Sequence, residues 1–515
     1  MRTRLREKEM KKIKLKLIRY GAVLIAVLHL WVLQPFAQQL VLPGDNPDPS
    51  VVKIGDTYWA SATTSNWLPA YPLLYSKDLV NWQTAGAVFT TKPVWADYYF
   101  WAPEVTYENG KVYIYYSAHK KDGNLCVGIA SADRPEGPYK DHGPIICQEV
   151  GSIDAFPMRD KDGKLYMIWK EDGNSVRKPT PIWIQELNEE RTALIGTKKE
   201  LFRNEASWEA NLVEGVSMMR HGDYFYAFYA AAGCCGDGCS YQTGVARAKS
   251  LLGPWEKYAQ NPVLVNEGPW KCPGHGTPLE KDGKFYFLYH AYDTAGGVYT
   301  GRQGLLKEFS FTNDGWIKFA DNALPAVTIA QVREDDFKGA TLSGNWQWSV
   351  FQEVNARQKD GRLQLGALPD AAGAFLGQKT YSLNYEATAA VQRKMSDAQA
   401  GIALIGDEKN LVKAQFRGDR VEVVQVKDGQ ETVLSTHPVG KGNKGYLRMQ
   451  VRNGKDVSFA YSRSGTQFMT LGSEPVDGAY LPPWDRALRA GVTARGEKGS
   501  KAVFEAFVVQ EGSSK

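Results

Sequence analysis

Helical periodicity of any length is missing between residues 38 and 320, which excludes a helical bundle or an alternating helix–strand fold for that stretch. Long apolar runs are scarce as well. The one candidate, residues 20–33, is interrupted only by His29 and holds 14 residues, short of the ~20 that a membrane-crossing helix needs. Net charge is nearly absent once that segment is set apart. Residues 1–19 carry nine Lys or Arg against two Glu, so their removal takes the formal +5 of the chain to roughly −2. The basic balance of the whole chain therefore says nothing about nucleic acid, and no nucleic-acid partner is expected. Cysteine is sparse, six in 515 residues, and the CCGDGC spacing is not that of a zinc knuckle.

Residues 1–37 read as a secretory signal, basic first and then apolar, with Ala37 as the cleavage residue; a retained anchor is the alternative. The chain is therefore expected to be exported (periplasmic, cell-surface or secreted), with no membrane span in its mature form. Export makes the six cysteines disulfide partners rather than metal ligands. Cys126 and Cys147 flank a strand pair. Cys234, Cys235, Cys239 and Cys272 allow three pairings, among which the sequence does not choose.

What the chain has in plenty is aromatic residues, 12%, and 50 glycines, the composition of short strands and tight turns. Its ordering element is the stretch NPDPSVVKIGDTYWAS at residues 46–61. A polar residue heads a short apolar strand, a Gly-bearing turn follows, and an aromatic-rich strand returns. The plan recurs in WAPEVTYENGKVYIYYS, IDAFPMRDKDGKLYMIWK, VEGVSMMRHGDYFYAFYA and PGHGTPLEKDGKFYFLYHAY. Five copies, 50 to 60 residues apart and each followed by further strands, imply a five-bladed β-propeller over residues 40–325. From residue 331 to 515 the repeat gives way to alternating strands joined by Asp-Gly, Asn-Gly and Gly-Asp turns, the pattern of a β-sandwich or jelly roll. The whole is all-β, and residues 322–330 are the linker.

In a propeller the innermost strands line the axis, so the strand heads converge. Aligned on the turn glycines, the heads are Asp48, Ala102, Asp154, Glu214 and His275. One carboxylate at a strand start is ordinarily a turn or cap residue. Three at matching places are costly unless used, because like charges repel at short range. Two carboxyls flanking one bond are the machinery of glycoside hydrolysis, and a third can set the acid's pKa.

With NPDPS, WAPE, SIDAFP, VEGV and PGHG in that order, the chain resembles family 43 of the glycoside hydrolases over residues 40–325. The resemblance implies inverting hydrolysis with Asp48 as general base, Glu214 as general acid and Asp154 as modulator of the acid. Burial and neighbouring anions should then raise Glu214 toward ~6–7, and the base and acid should stand about 6.5–9.5 Å apart. His275 is either a core histidine satisfied by hydrogen bonds or an axial group that helps hold a calcium ion, as in many relatives, weakly or through water; no cofactor is required for the chemistry. Arg302, in YTGRQG, resembles the family arginine that reaches substrate hydroxyls. Trp101 and Trp67 are candidates for a sugar-stacking wall. The region beyond residue 331 is similar to the concanavalin-like sandwich appended to some members.

The expected activity is exo-acting release of β-D-xylosyl or α-L-arabinofuranosyl units from plant cell-wall poly- or oligosaccharide. Alternatives on the same fold are a galactofuranosidase, a β-galactosidase, or a carbohydrate-binding propeller without catalysis. The fructan-cleaving propellers are disfavoured, since neither their NDPNG nucleophile motif nor their Glu-Cys acid motif is present.

Overall fold

Each repeated hairpin forms the first two strands of an antiparallel sheet, four-stranded in the first four blades and five-stranded in the last, in the computed structural model, which describes residues 39–321 and 331–512. The signal read at residues 1–37 and the linker read at 322–330 lie outside the described residues. Blade one comprises Ser50–Ile54, Thr57–Ser61, Ala70–Ser76 and Gln83–Phe89; blade two comprises Ala96–Glu108, Lys111–Lys120, Leu125–Ala132 and Lys140–Cys147. Blade three runs through Ser152–Arg159, Leu165–Glu171, Ile182–Leu187 and Leu194–Phe202, and blade four through Val213–His221, Tyr224–Ala231, Gln242–Ala248 and Glu256–Lys257. The last blade is made from both ends of the propeller. Its inner strands are Trp270–Lys281, Lys284–Asp293 and Arg302–Phe311, and Gln39–Leu42 pairs on the outside with Leu40 opposite Leu305.

The first strands of successive blades touch one another round a closed ring, the fifth meeting the first. Closure leaves no inner edge to aggregate. The reason these segments pack face to face is their alternation. In blade three, Ile168, Ile182 and Ile184 share one apolar cluster with Val213, Met218 and Phe225 of blade four. Similar clusters fill the space between the other blades.

The second unit is a sandwich of two antiparallel sheets. One contains Leu363–Gly366, Lys501–Glu511, Tyr385–Val391, Gly445–Arg452, Asp456–Ser462 and Met469–Asp477; the other contains Ala374–Lys379, Arg489–Arg495, Gln399–Ile405, Leu411–Arg417, Arg420–Lys427 and Gln430–Pro438. A continuous core that includes Leu365, Ile402, Leu447, Val492 and Phe507 lies between them.

Propeller and sandwich are joined by backbone pairing as well as by side chains. Trp348–Ser349 pairs with Trp67–Leu68 of the propeller. Trp67 is 1% exposed and packs with Phe375, Ala403, Ile405 and Val424 of the sandwich, its ring edge-on to Phe375 at 6.0 Å. Burying that indole contributes about 2–3 kcal/mol. Nearer the axis, Asp45 accepts from the Ala487 N–H (3.1 Å) and from the Arg489 guanidinium (3.2 Å).

Candidate active site

The inner strands do not run straight into the axis. A left-handed residue recurs at each head: Asp48 (φ 51°), Ala102 (43°), Asp154 (56°), Gly215 (59°) and His275 (37°). In four blades a shift of pairing follows, at Trp101/Glu104, Ile153/Phe156, Glu214/Ser217 and Gly274/Gly276. Such a bulge bends the strand and lets consecutive residues serve one side. Trp101 with Ala102, and Ile153 with Asp154, accordingly line the same cavity.

This register corrects the alignment of heads drawn from the turn glycines. The blade-four residue equivalent to Asp48 and Asp154 is Gly215. Glu214 stands one place earlier, the place of Trp101 and Ile153, because the fourth hairpin turns on Gly222 and Asp223, with His221 opposite Tyr224. Glycine is required at 215 twice over: its φ is positive, and a Cβ there would lie 2.7 Å from His275 Cγ. The carboxylate is thus moved outward by one residue and the imidazole takes the vacated space.

The cavity measures ≈ 350 Å³ and is lined by Asp48, Asp154, Glu214, His275, Arg302 and Trp101 among others. Its polar groups are supported in a regular way. A residue near the end of a blade's second strand, one to three places before its last residue, holds the head of the next blade. The Asp154 N–H donates to Ser117 Oγ (3.1 Å), Lys170 Nζ donates to Glu214 Oε2, and the Asp48 N–H donates to His290 Nδ1 (3.0 Å), which carries the pattern across the ring closure.

Asp48 is the most strongly held anion. Burial opposes its charge, but Arg302 Nη1 at 3.1 Å and His275 Nδ1 at 3.4 Å keep its pKa well below the usual carboxylate range, and the Thr63 hydroxyl donates to Oδ2 at 2.6 Å. His290 accepts the Asp48 N–H at Nδ1 and is wholly buried, which pushes its pKa down to about 4; it is neutral and fixed in one tautomer. His275 goes the other way. Burial would lower it, yet Asp154 and Asp48 on either side raise it to about 9, so it is an imidazolium at neutral pH.

Glu214 differs from expectation. Burial acts to raise its pKa, but the Lys170 ammonium and the Tyr241 hydroxyl (2.8 Å from Oε1) hold it below the ordinary glutamate value. Asp154 is the carboxyl that rises, to about 6, through burial and the nearby Glu214 and Asp48 charges, partly offset by His275. Lys170 is 1% exposed and also donates to Asp172 Oδ1 at 3.0 Å. Sequence reasoning missed this lysine, although a charge ending the apolar run LYMIWK was a signal of inward placement, as was the histidine in KFYFLYHAY.

Of the remaining sequence candidates, Trp101 lines the cavity, stacked on Tyr99 at 4.3 Å between centroids. Arg302 is buried and divides its guanidinium between Asp48 and the Asp485 carbonyl, the latter at 3.2 Å. Trp67 is not at the cavity. The interface with the sandwich encloses it, so it stacks on no sugar. The sandwich supplies two rim residues that the sequence did not reveal. Trp484 is 54% exposed and meets Trp101 edge-on at 5.8 Å, while Asp485 accepts from Trp101 Nε1 at 3.2 Å and from the Ser65 hydroxyl.

Calcium prefers six to eight oxygen ligands. Among the described residues no group of three or more His, Cys, Asp or Glu is arranged to hold a metal. His275 Nδ1 instead faces two carboxylates, and its positive charge does there what a cation would do. The protein groups facing His275 do not by themselves make up a calcium shell.

A family model described as glycosyl hydrolases family 43 matches residues 37–317 of the chain. The chain belongs to that family. Its C-terminal part, residues 334–484, matches a second model, the β-xylosidase C-terminal concanavalin A-like domain. This family 43 glycosidase is 26% identical over 464 residues to a non-reducing end α-L-arabinofuranosidase from Bacteroides ovatus, covering 80% of the chain and 83% of that relative. It is 23% identical over 491 residues to a xylosidase/arabinosidase from Humicola insolens, covering 85% and 89%. A solved family 43 protein from Bacillus licheniformis superposes with a TM-score of 0.78 at 24% identity, over 92% of this chain and all of that one. The five-bladed propeller with appended sandwich is therefore the family 43 architecture, and the hydrolysis of glycosidic bonds by this family needs no cofactor.

Proposed function

We propose that the protein is an inverting, exo-acting pentosidase that removes β-D-xylosyl or α-L-arabinofuranosyl units from plant cell-wall poly- or oligosaccharides. The observation that carries this reading is the convergence of Asp48, Asp154 and Glu214 in one cavity whose rim is closed on the Trp101 side by Trp484 and Asp485. A pocket with a closed rim takes the end of a chain; an open cleft would take its middle. The names of the Bacteroides and Humicola relatives support the pentoses over galactofuranose or galactose.

Asp48 is the water-activating base in this account. A base must be ionised at the working pH, and its arginine and histidine partners favour that. Glu214 is the acid that protonates the leaving oxygen. In the empty cavity Lys170 favours its anion, and of the three carboxyls Asp154 is the one that keeps a proton to the highest pH, about 6. A bound sugar excludes water from Glu214 and favours its neutral form, so the proton is on Glu214 when the glycosidic oxygen arrives. Asp154, fixed by Ser117 Oγ at its N–H and by the Gly215 N–H on Oδ2 (2.9 Å), then carries the charge that keeps the acid protonated. Arg302 and His275 remain as donors to sugar hydroxyls.

The residues at 1–37 and three disulfides, Cys126–Cys147, Cys234–Cys235 and Cys239–Cys272, support an exported protein. A panel of 4-nitrophenyl glycosides of xylose, arabinofuranose, galactofuranose and galactose tests the assignment. Turnover of the pentosides is expected. Hydrolysis confined to the galactosides would overturn the sugar class, and turnover of none would overturn the enzyme reading in favour of a binding propeller.

A further inference from the structure

The second strand of blade four, which pairs with the Glu214 strand, leads directly into a loop at residues 232–241 that contains CCGDGC. Cys234 and Cys235, neighbours in the chain, are bonded to each other, and both line the cavity that holds the three carboxylates. The loop is fastened on several sides. Gly233 and Ser240 close it on themselves, with the Ser240 N–H donating to the Gly233 carbonyl at 2.8 Å. The Gly236 N–H donates to the Tyr292 hydroxyl at 3.2 Å, and Cys239 is bonded to Cys272 of blade five. Cys234 packs against a buried apolar cluster of Leu212, Tyr241 and Tyr292. Tyr241, the residue that ends the loop, is the one that donates to Glu214.

A disulfide between adjacent residues closes a small ring with no side-chain N–H or O–H. It offers two polarisable sulfurs and their methylenes, a rigid surface suited to C–H groups and unsuited to hydrogen bonding. Nothing in hydrolysis itself uses such a surface. Its place in the cavity lining, joined to Glu214 through Tyr241, gives it a use, since the acid stands at the leaving oxygen and whatever lies beyond the acid meets the leaving group.

We propose that the Cys234–Cys235 disulfide is the apolar platform of the leaving-group subsite, on which the C–H face of the second sugar rests. This deepens the pentosidase reading and rests on Glu214 being the acid. The platform recognises a pyranose or furanose ring by its unsubstituted face, and a ring bearing bulky substituents on that face is rejected. Because the disulfide leaves no rotatable thiol, the surface loses no side-chain entropy when the sugar arrives.

The test compares leaving groups. Wild type and the double variant Cys234→Ala/Cys235→Ala, which keeps Cys239–Cys272, are assayed on xylobiose, on α-1,5-arabinobiose and on the corresponding pentosyl fluorides, whose leaving group is a single atom. The expected result is a fall of about five- to tenfold in kcat/KM on the disaccharide that wild type cleaves, with the fluoride rate unchanged. An equal fall on both substrates, or no fall on either, overturns the platform. Wild type inactive on every disaccharide and fluoride would overturn the pentosidase reading, and the platform with it. Should the double variant fail to fold, the structure of Glu214→Gln with the same disaccharide decides: the second ring is expected within about 4 Å of the two sulfurs, and a second ring placed elsewhere overturns the proposal.

Discussion

At the scale of single residues the proposed chemistry turns on Glu214 and Lys170. Removing the acid's proton by Glu214→Gln is expected to lower kcat/KM about 10²–10⁴-fold on a glycoside with a poor leaving group, with circular dichroism unchanged; turnover like that of wild type would remove Glu214 from the acid role. Lys170 stabilises the anion of Glu214, so replacing it by methionine raises the pKa of the acid. The alkaline limb of kcat/KM against pH is then expected to move to higher pH, and an unmoved limb would show that the lysine is only structural. His275 adds a stability effect of its own. Its pKa in the folded protein is raised to about 9, above the usual ~6.5 of the unfolded chain. The stability it contributes is complete below that unfolded value and is lost as pH rises through about 9. The melting temperature should fall between pH 7 and 9.5 in wild type, and His275→Gln should flatten that part of the curve.

Among elements, the hairpin is the unit that was legible beforehand. Polar head, Gly-bearing turn and aromatic return strand recur so regularly that number of blades and the identity of Asp48 and Asp154 as heads follow from the residues. What alignment on turn glycines could not show is the left-handed head and the bulge after it. Those features are set by neighbouring blades, and they identify Gly215 as the equivalent of Asp154, with Glu214 one place before it. Support across blades was equally hidden, because Ser117, Lys170 and His290 act on the heads of the next blade and sequence distance does not report that contact. Ser117→Ala leaves the buried Asp154 N–H without its acceptor and is expected to cost about 1–3 kcal/mol. Chemical denaturation measures it, and a loss under ~0.5 kcal/mol would contradict the supporting role.

At the scale of the whole molecule the sandwich completes the pocket and is not a passive appendage. Its strands were readable from alternation and turn dipeptides, but its contact with the propeller was not, since that depends on the shape of both units. Trp67 shows why: a tryptophan in a loop near the site fits a sugar wall equally well in sequence, and only the docked sandwich turns it into an interface core. Trp67→Ala is expected to destabilise the protein by about 3–5 kcal/mol. Trp484→Ala, at an exposed rim position, should leave the melting temperature within a degree or so and raise KM several-fold. The central claim, that Asp48 drives water against the sugar face opposite to Glu214 within this two-domain pocket, is tested most directly by proton NMR of the first sugar released from a pentoside. The account predicts an anomeric configuration opposite to that of the substrate, later relaxing by mutarotation; a first-formed product with the substrate's own configuration would contradict it.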